Sequence, residues 1–399
     1  MKSARILSPS GPVVRVALLA AALVAVSGCS TVSGWFSGKD SSKKAAKPTE
    51  LTAITPTINV AQLWSTSVGG GEGHLGLRQG PVVDGGRVFA AALKGGVYAL
   101  DLPTGKAVWH HETKVQVSGG PGVGEGLVVV GGLEGEVIAL DAATGAEKWH
   151  AKVGNEVVAA PAIGQGRVFV RSVDGRVTAF DAATGERRWF WNHDLPTLTA
   201  RGNDGVAMGP GVVFVGNDDG TLTMLSVADG RPLWDLPIAQ PEGRNELERM
   251  ADIDGTPVLE GGTLYATSMK KTTAAIDAPN GRPMWSAEHG GPGRPAVSSD
   301  RVVVTEADGG VFALDKQSGG ALWQQPALLR RDVTAPAIAG DAAVVGDLDG
   351  YVHWLRLSDG AFAARMRAGG DAILAPPVVS DGIVLVQNTD GRLTAFRAQ

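Results

Sequence analysis

ALDAATGAEKWH, running from Ala139 to His150, is followed by AFDAATGERRWF from Ala179 to Phe190, which sets Trp149 and Trp189 forty residues apart. A chain that repeats itself at such a period is built from stacked copies of one supersecondary unit, because a single copy cannot bury its own apolar face. The segment before the turn occurs eight times, as GGVYALD (Gly95), GEVIALD (Gly135), GRVTAFD (Gly175), GTLTMLS (Gly220), KTTAAID (Lys271), GGVFALD (Gly309), GYVHWLR (Gly350) and GRLTAFR (Gly391). After the turn comes a tryptophan at Trp109, Trp149, Trp189, Trp234, Trp285 and Trp323, with Ala364 in the seventh place and the eighth copy ending before its tryptophan.

Within one copy, PAI, RVFVRS, RVTAF and ERRWF are separated by turn steps GQG, VDG and DAATG, and RVTAF alternates polar and apolar residues. Period-2 alternation bounded by Gly and Asp reads as four short antiparallel strands. Asp caps such turns by bonding backbone amides two residues on, and Gly supplies positive φ. Four strands per roughly forty residues is a propeller blade. The chain therefore reads as all-β, an eight-bladed β-propeller of four-stranded antiparallel blades over residues 55–399. Trp64, in AQLWSTS, has no copy before it. The N-terminal strand is thus expected to pair with the last blade and close the ring, which removes free sheet edges. The seven tryptophans, Trp64 included, are read as structural wedges between blades, since residues recurring once per blade cannot all face one ligand.

The first residues are an address. Lys2, Arg5 and Arg15 precede the apolar run VALLAAALVAV (16–26), too short to span a bilayer comfortably and suited to a secretory leader. The run ends in Val26, Ser27, Gly28 and Cys29, which resembles a bacterial lipobox. Cys29 is the single cysteine of the chain, so it has no disulfide to build. Residues 1–28 are read as a lipoprotein signal peptide and Cys29 as the lipidated mature terminus. Residues 29–54, with SGKDSSKKAAKPTE at their centre, are read as a flexible tether. By resemblance to lipoprotein sorting, Ser30 after the cysteine implies the outer membrane. A net charge of −5 with no clustered basic surface excludes nucleic acid as a partner.

Several stretches imitate chemistry. GEGHLG (71–76) spells a dinucleotide fingerprint, but no helical pattern follows it to receive a pyrophosphate. NDDG at Asn217 and DLDG at Asp347 lack the ligand ladder of a calcium loop and read as hairpin turns. The neighbours His110 and His111 would point to opposite faces of a strand. No metal site, catalytic residue or cofactor is assigned.

Function on a repeat scaffold sits where the repeat is broken. Spans from each tryptophan place to the next inner strand run from 10 to 13 residues in five cases, and Trp64 to Pro81 takes 17. The informative ones are adjacent: 17 from Trp189 to Val206 and 23 from Trp234 to Pro257. Both leave an outer strand for the next blade's inner strand, so both lie on one face and must be neighbours. The first, NHDLPTLTARGNDG, offers Leu195 and Leu198 beside Arg201; the second, IAQPEGRNELERMADIDG, carries Glu246, Glu248, Asp252 and Asp254 with a short helical turn at 245–250. Apolar residues ringed by charges make a protein-binding patch.

The repeats resemble the PQQ-like β-propeller family, and the ALDAATGxxxW unit is shared with quinoprotein dehydrogenases. Leader, tether, eight repeats and the two long loops together resemble the propeller lipoproteins of the outer-membrane β-barrel assembly machinery. Their partner-binding loops carry Leu-x-Leu-Arg-Gly and an Asp-x-Asp step after an arginine; Leu198 and Arg201 match the first, Ala200 departs from its second Leu, and Asp252 and Asp254 match the second. The resemblance implies a non-catalytic scaffold, lipid-anchored on the periplasmic face of the outer membrane. It would dock onto the POTRA domains of a BamA-like barrel-inserting subunit and serve unfolded outer-membrane protein clients. The alternative is a PQQ-dependent quinoprotein oxidoreductase; with one cysteine the vicinal disulfide common in those enzymes cannot form.

Overall fold

In the computed structural model the described residues are 47–71, 75–199 and 204–399. Cys29 and the leader therefore lie outside them, as do part of the GEGHLG stretch, Ala200 and Arg201. From Pro48 onward the chain forms one unit. Its strands, β1 to β32 in chain order, make eight four-stranded antiparallel sheets. Seven sheets are consecutive in sequence, such as β10 (Ala162–Gly164), β11 (Arg167–Arg171), β12 (Val177–Asp181) and β13 (Arg187–Trp191), ordered from the ring's axis outward.

Blade 8 is the exception that closes the ring. It takes β30 (Val378–Ser380), β31 (Ile383–Gln387) and β32 (Arg392–Ala398) from the end of the chain and β1 (Val60–Ser67) from its beginning. β1 pairs antiparallel with β32 from Val60↔Ala398 to Ser67↔Arg392, with one bulge between Gln62 and Trp64. The pairing continues past the strand ends, Gln399 N donating to Asn59 O at 2.8 Å. Inner strands of successive blades lie side by side, and β30 of blade 8 meets β2 (Val82–Asp84) of blade 1. The closure expected from Trp64 is present.

The middle two strands of each blade are buried on both faces and largely apolar, because each sheet is sandwiched between two others. Val168, Phe169, Val177 and Ala179 of blade 3 are each 1% exposed or less. Such a side chain contributes about 1.5–3 kcal/mol when buried. Outer strands keep alternation, burying Trp189 while Phe190 stays half exposed.

Each tryptophan crosses from its own blade to the next. Trp64, Trp109, Trp149, Trp189, Trp234, Trp285 and Trp323 donate their Nε1–H to the carbonyls of Leu102, Ala142, Ala182, Val227, Ala278, Lys316 and Leu357, at 2.7 to 3.1 Å. The indole lies against the glycine that closes the neighbour's Asp-x-x-x-Gly turn: at Gly145, with φ +74, an added Cβ would stand 2.7 Å from the Trp109 ring. The motif DAATG followed by tryptophan thus carries one half of each of two contacts, the turn receiving the previous blade's ring and the tryptophan serving the next.

The junction between blades 7 and 8 lacks this contact for a topological reason. In blade 8 no turn joins the third strand to the fourth; Gln399 and Asn59 face each other there instead. A tryptophan in place of Ala364 would have no glycine turn to lie on. The segment before β1 fills the position: Thr57 N donates to Ala363 O at 2.8 Å, and Ile58 packs on the cluster around Ala364, Trp354 and Phe396.

Candidate interaction site

The two long connections leave β13 (Arg187–Trp191) and β17 (Pro232–Pro237) for the inner strands β14 (Ala207–Gly209) and β18 (Val258–Glu260). All outer-to-inner connections depart from one face of the ring, because every blade runs in the same sense. These two flank blade 4 and meet in a cleft of about 580 Å³ lined by Pro196, Thr197, Leu198, Pro241, Gly243 and Arg249. The neighbourhood inferred from spacing is therefore real at Leu198.

The second loop folds into the single helical turn that the sequence placed there, α1 (Glu246–Arg249). Asn245 caps it, its Oδ1 accepting from Glu248 N at 2.9 Å, and Arg249 bonds Glu246 at 3.1 Å. From blade 5, the Lys270 ammonium donates to the carbonyls of Glu242 and Glu248 and braces the loop. The turn presents Leu247 outward at 72% exposure, and across the cleft Leu195 and Leu198 are 41% and 42% exposed. Phe190, on the last strand before the first loop, is exposed between the guanidinium groups of Arg176 and Arg187 at 4.9 and 5.7 Å. His193 is fixed to Asp219 at 2.8 Å, and this bond raises the imidazole pKa.

Asp252 and Asp254 are not surface charges. They are 0% and 3% exposed, turned inward at the root of the second loop, while Ile253 N donates to Asn217 O and Ile253 closes over Gly216. Their main-chain carbonyls help to fix the loop root: Asp204 N donates to Asp254 O at 2.9 Å and Met269 N to Asp252 O at 2.9 Å, while Thr256 N donates to Asp204 Oδ2 at 3.1 Å. Arg171, 3% exposed, approaches Asp218 and the Asp204 carbonyl, both at 3.5 Å. Burial, and then the negative charges of Asp252 and Asp218, push the Asp254 carboxyl up to about 8 against the pull of Arg78 and Arg171. The reading of Asp252 and Asp254 as exposed rim charges fails on a simple count: counting cannot tell a loop's tip from its root. Arg171 was not found by sequence reasoning because it ends an ordinary strand, RVFVR, with nothing to mark it.

The Asp-Gly steps at Asn217 and Asp347 are hairpin turns, Asp347 Oδ1 accepting from Asp349 N and Tyr351 N at 3.0 and 2.9 Å. Among the described residues no group of three or more His, Cys, Asp or Glu is placed to hold a metal. The axis of the ring is a channel of about 710 Å³ whose lining includes Pro81, Pro121, Pro161, Pro295, Pro336 and Pro376, each at or just before an inner strand, together with Arg78, Asp204 and Arg294.

Known proteins match this combination. The family described as outer membrane protein assembly factor BamB matches residues 49–112, 93–325 and 308–399. Outer membrane protein assembly factor BamB of Xanthomonas campestris pv. campestris is 61% identical over 394 residues, covering 96% of this chain and 97% of that protein. The protein of the same name from Pseudomonas aeruginosa is 43% identical over 380 residues, covering 95% and 97%. The crystal structure of BamB from Moraxella catarrhalis superposes with a TM-score of 0.77 at 27% identity, over 85% of this chain and 100% of that one. Quinohemoprotein alcohol dehydrogenase from Comamonas testosteroni, at 17% identity and a TM-score of 0.66 over 84% and 76%, shares the fold alone.

Proposed function

The chain belongs to the family of outer membrane protein assembly factor BamB, and from that premise we propose that it is a non-catalytic scaffold of the outer-membrane β-barrel assembly machinery. It is held to the periplasmic face of the outer membrane by lipid on Cys29, and it docks onto the POTRA domains of the BamA-like barrel-inserting subunit through the two long loops. Docking positions the propeller to aid delivery of unfolded outer-membrane proteins to that subunit.

The observation that carries this reading is the cleft where Leu198 of one loop faces the α1 turn of the other. Exposed Leu195, Leu198 and Leu247 around Pro196 and Pro241 give an apolar centre, with Glu246 and Arg249 at its rim. An apolar centre within a charged rim is how protein interfaces concentrate their binding energy. The C-terminal ends of the two loops are tied to each other by the Asp204–Asp254 backbone bond and by the Asp204 carboxylate, which lowers the ordering needed on binding. Leu198 and Arg201 are the proposed contacts of the first loop, with Ala200 between them; Asp252 and Asp254 support the second from beneath.

The test is co-isolation from detergent-solubilised outer membranes. Leu198→Arg with Leu247→Arg should remove the barrel-inserting subunit from the captured material while the unfolding midpoint stays put, both side chains being exposed. Capture at the wild-type level would exclude these loops as the docking surface. Lipid on Cys29 is tested separately: Cys29→Ser should move the protein from the membrane to the soluble periplasmic fraction.

A further inference from the structure

Ahead of β1, residues 48–58 cross blade 7 as an extended strap, and the blade is shaped to receive it. Thr49 N donates to Leu329 O at 3.1 Å. Arg331 returns a bond from Nη1 to Thr49 O at 3.0 Å, and Arg365 donates from Nη1 to Thr52 O at 2.8 Å. Leu51 packs against the buried cluster that holds Leu328, Val345 and Leu355. Thr57 then bonds Ala363 where the seventh tryptophan is missing.

The two arginines are held by a buried network built on Asp347 and His353. Asp347, fully buried, accepts at Oδ2 from Arg331 Nε at 2.8 Å and from His353 Nε2 at 3.0 Å. His353, also fully buried, accepts at Nδ1 from Arg365 Nε at 3.2 Å, so the ring is neutral with its proton on Nε2. Arg331 Nη2 spends its remaining reach on Asp349 at 2.6 Å. A buried ionic network costs desolvation, which two apolar residues of similar volume would avoid. The turn that supplies Leu329 O is also strained, with Arg330 and Asp332 at φ +60 and +50. Both costs converge on two guanidinium groups aimed at backbone carbonyls of residues 49 and 52.

Where the strap begins is as informative as how it is held. Its first contacts are with the connection from β25 (Ala321–Gln325) to β26 (Ala337–Ala339), an outer-to-inner connection like those after β13 and β17. It therefore lies on the same face of the ring, two blades round from the second long loop.

We propose that blade 7 carries a dedicated seat for residues 48–57, and that the seat directs the chain leading toward Cys29 off the propeller on the face that bears the two long loops. The tether then starts from a fixed point on the face of the docking surface rather than swinging from β1 at the ring's edge. This rests on the reading of Cys29 as the anchor and of the loops as the docking surface.

Spin labels on Glu50→Cys and Arg244→Cys, both exposed positions, read the seat directly in the full-length lipoprotein held in detergent. A single narrow distance distribution is expected. Thr49→Pro, which deletes the bond to Leu329 outside the buried network, and Arg365→Gln, which deletes the bond to Thr52, should each broaden it at least twofold with the cooperative melt retained; should Arg365→Gln fail to fold, Thr49→Pro alone decides. A wild-type distribution as broad as the variants', or variants that stay narrow, overturns the seat. The chain without added cysteines serves as the control on the anchor: label uptake there means that Cys29 is unlipidated and sinks that reading without touching the distance result. In intact membranes the variants should cross-link to the barrel-inserting subunit several-fold less than wild type, yet bind it equally once solubilised. Equal cross-linking in the membrane overturns the orienting role.

Discussion

Gly145 and Trp109 form a single contact across two blades: the glycine sits at φ +74 with its α-carbon face against the indole, leaving 2.7 Å for any Cβ. The same pairing recurs from Gly105 with Trp64 to Gly360 with Trp323, seven times around the ring.

Gly145→Ala should therefore cost more than the backbone conformation alone demands. Gly166 has nearly the same φ, +71, but nothing within 4 Å of its Cβ position. Alanine at either place incurs about 1–2 kcal/mol for the left-handed conformation. At Gly145 the ring must also move, which adds about 1–3 kcal/mol of overpacking. Denaturant midpoints of the two variants measure the difference directly, and equal midpoints would remove the ring contact from the account.

Truncating Trp149 to alanine should cost about 3–5 kcal/mol, as large aromatic deletions in cores do. The reverse change at the seventh place should also destabilise. Ala364 is 3% exposed and packs beneath the strap, so Ala364→Trp forces the strap away instead of restoring a missing wedge. A repeat-consensus argument predicts stabilisation there, and a higher melting temperature for Ala364→Trp would favour it.

Asp254 should make stability fall as pH rises. Its carboxyl titrates near 8 in the folded chain and near its ordinary value of 3.8 when unfolded. Below pH 4 both states hold the proton and there is no penalty. Between pH 4 and 8 only the folded state keeps it, so stability is lost progressively, and above pH 8 the loss is complete. Each tenfold difference in proton affinity is worth about 1.4 kcal/mol. Asp254→Asn should thus gain on the wild type with increasing pH, the gain levelling off above 8. A pH-independent difference in unfolding free energy would show that the carboxyl is ordinary.

The ring was legible because its cause is repeated. Eight copies of one alternating segment, six of them followed by a tryptophan four residues after the turn glycine, admit little besides blades, and Trp64 standing alone announced the closure. The loops were legible as interruptions of that count, and Leu198 and the α1 turn came together as neighbouring blades require. What the pattern did not contain was depth. Asp252 and Asp254 look like solvated acids in a loop of acids, and only the tertiary path shows that Ile253 drags both inward over Gly216. The strap was equally hidden: PTELTAITPTIN has no period, and its partners Arg331 and Arg365 lie more than 280 residues away.

The vacancy at Ala364 also fixes where this wheel can be cut. A circular permutant that joined Gln399 to Asn59 and opened any other blade between its third and fourth strands would sever a glycine turn and strand the tryptophan that rests on it. The native cut is the single one among the eight that leaves no indole without a bed, and the substitution that permits it is a residue with almost no side chain at all.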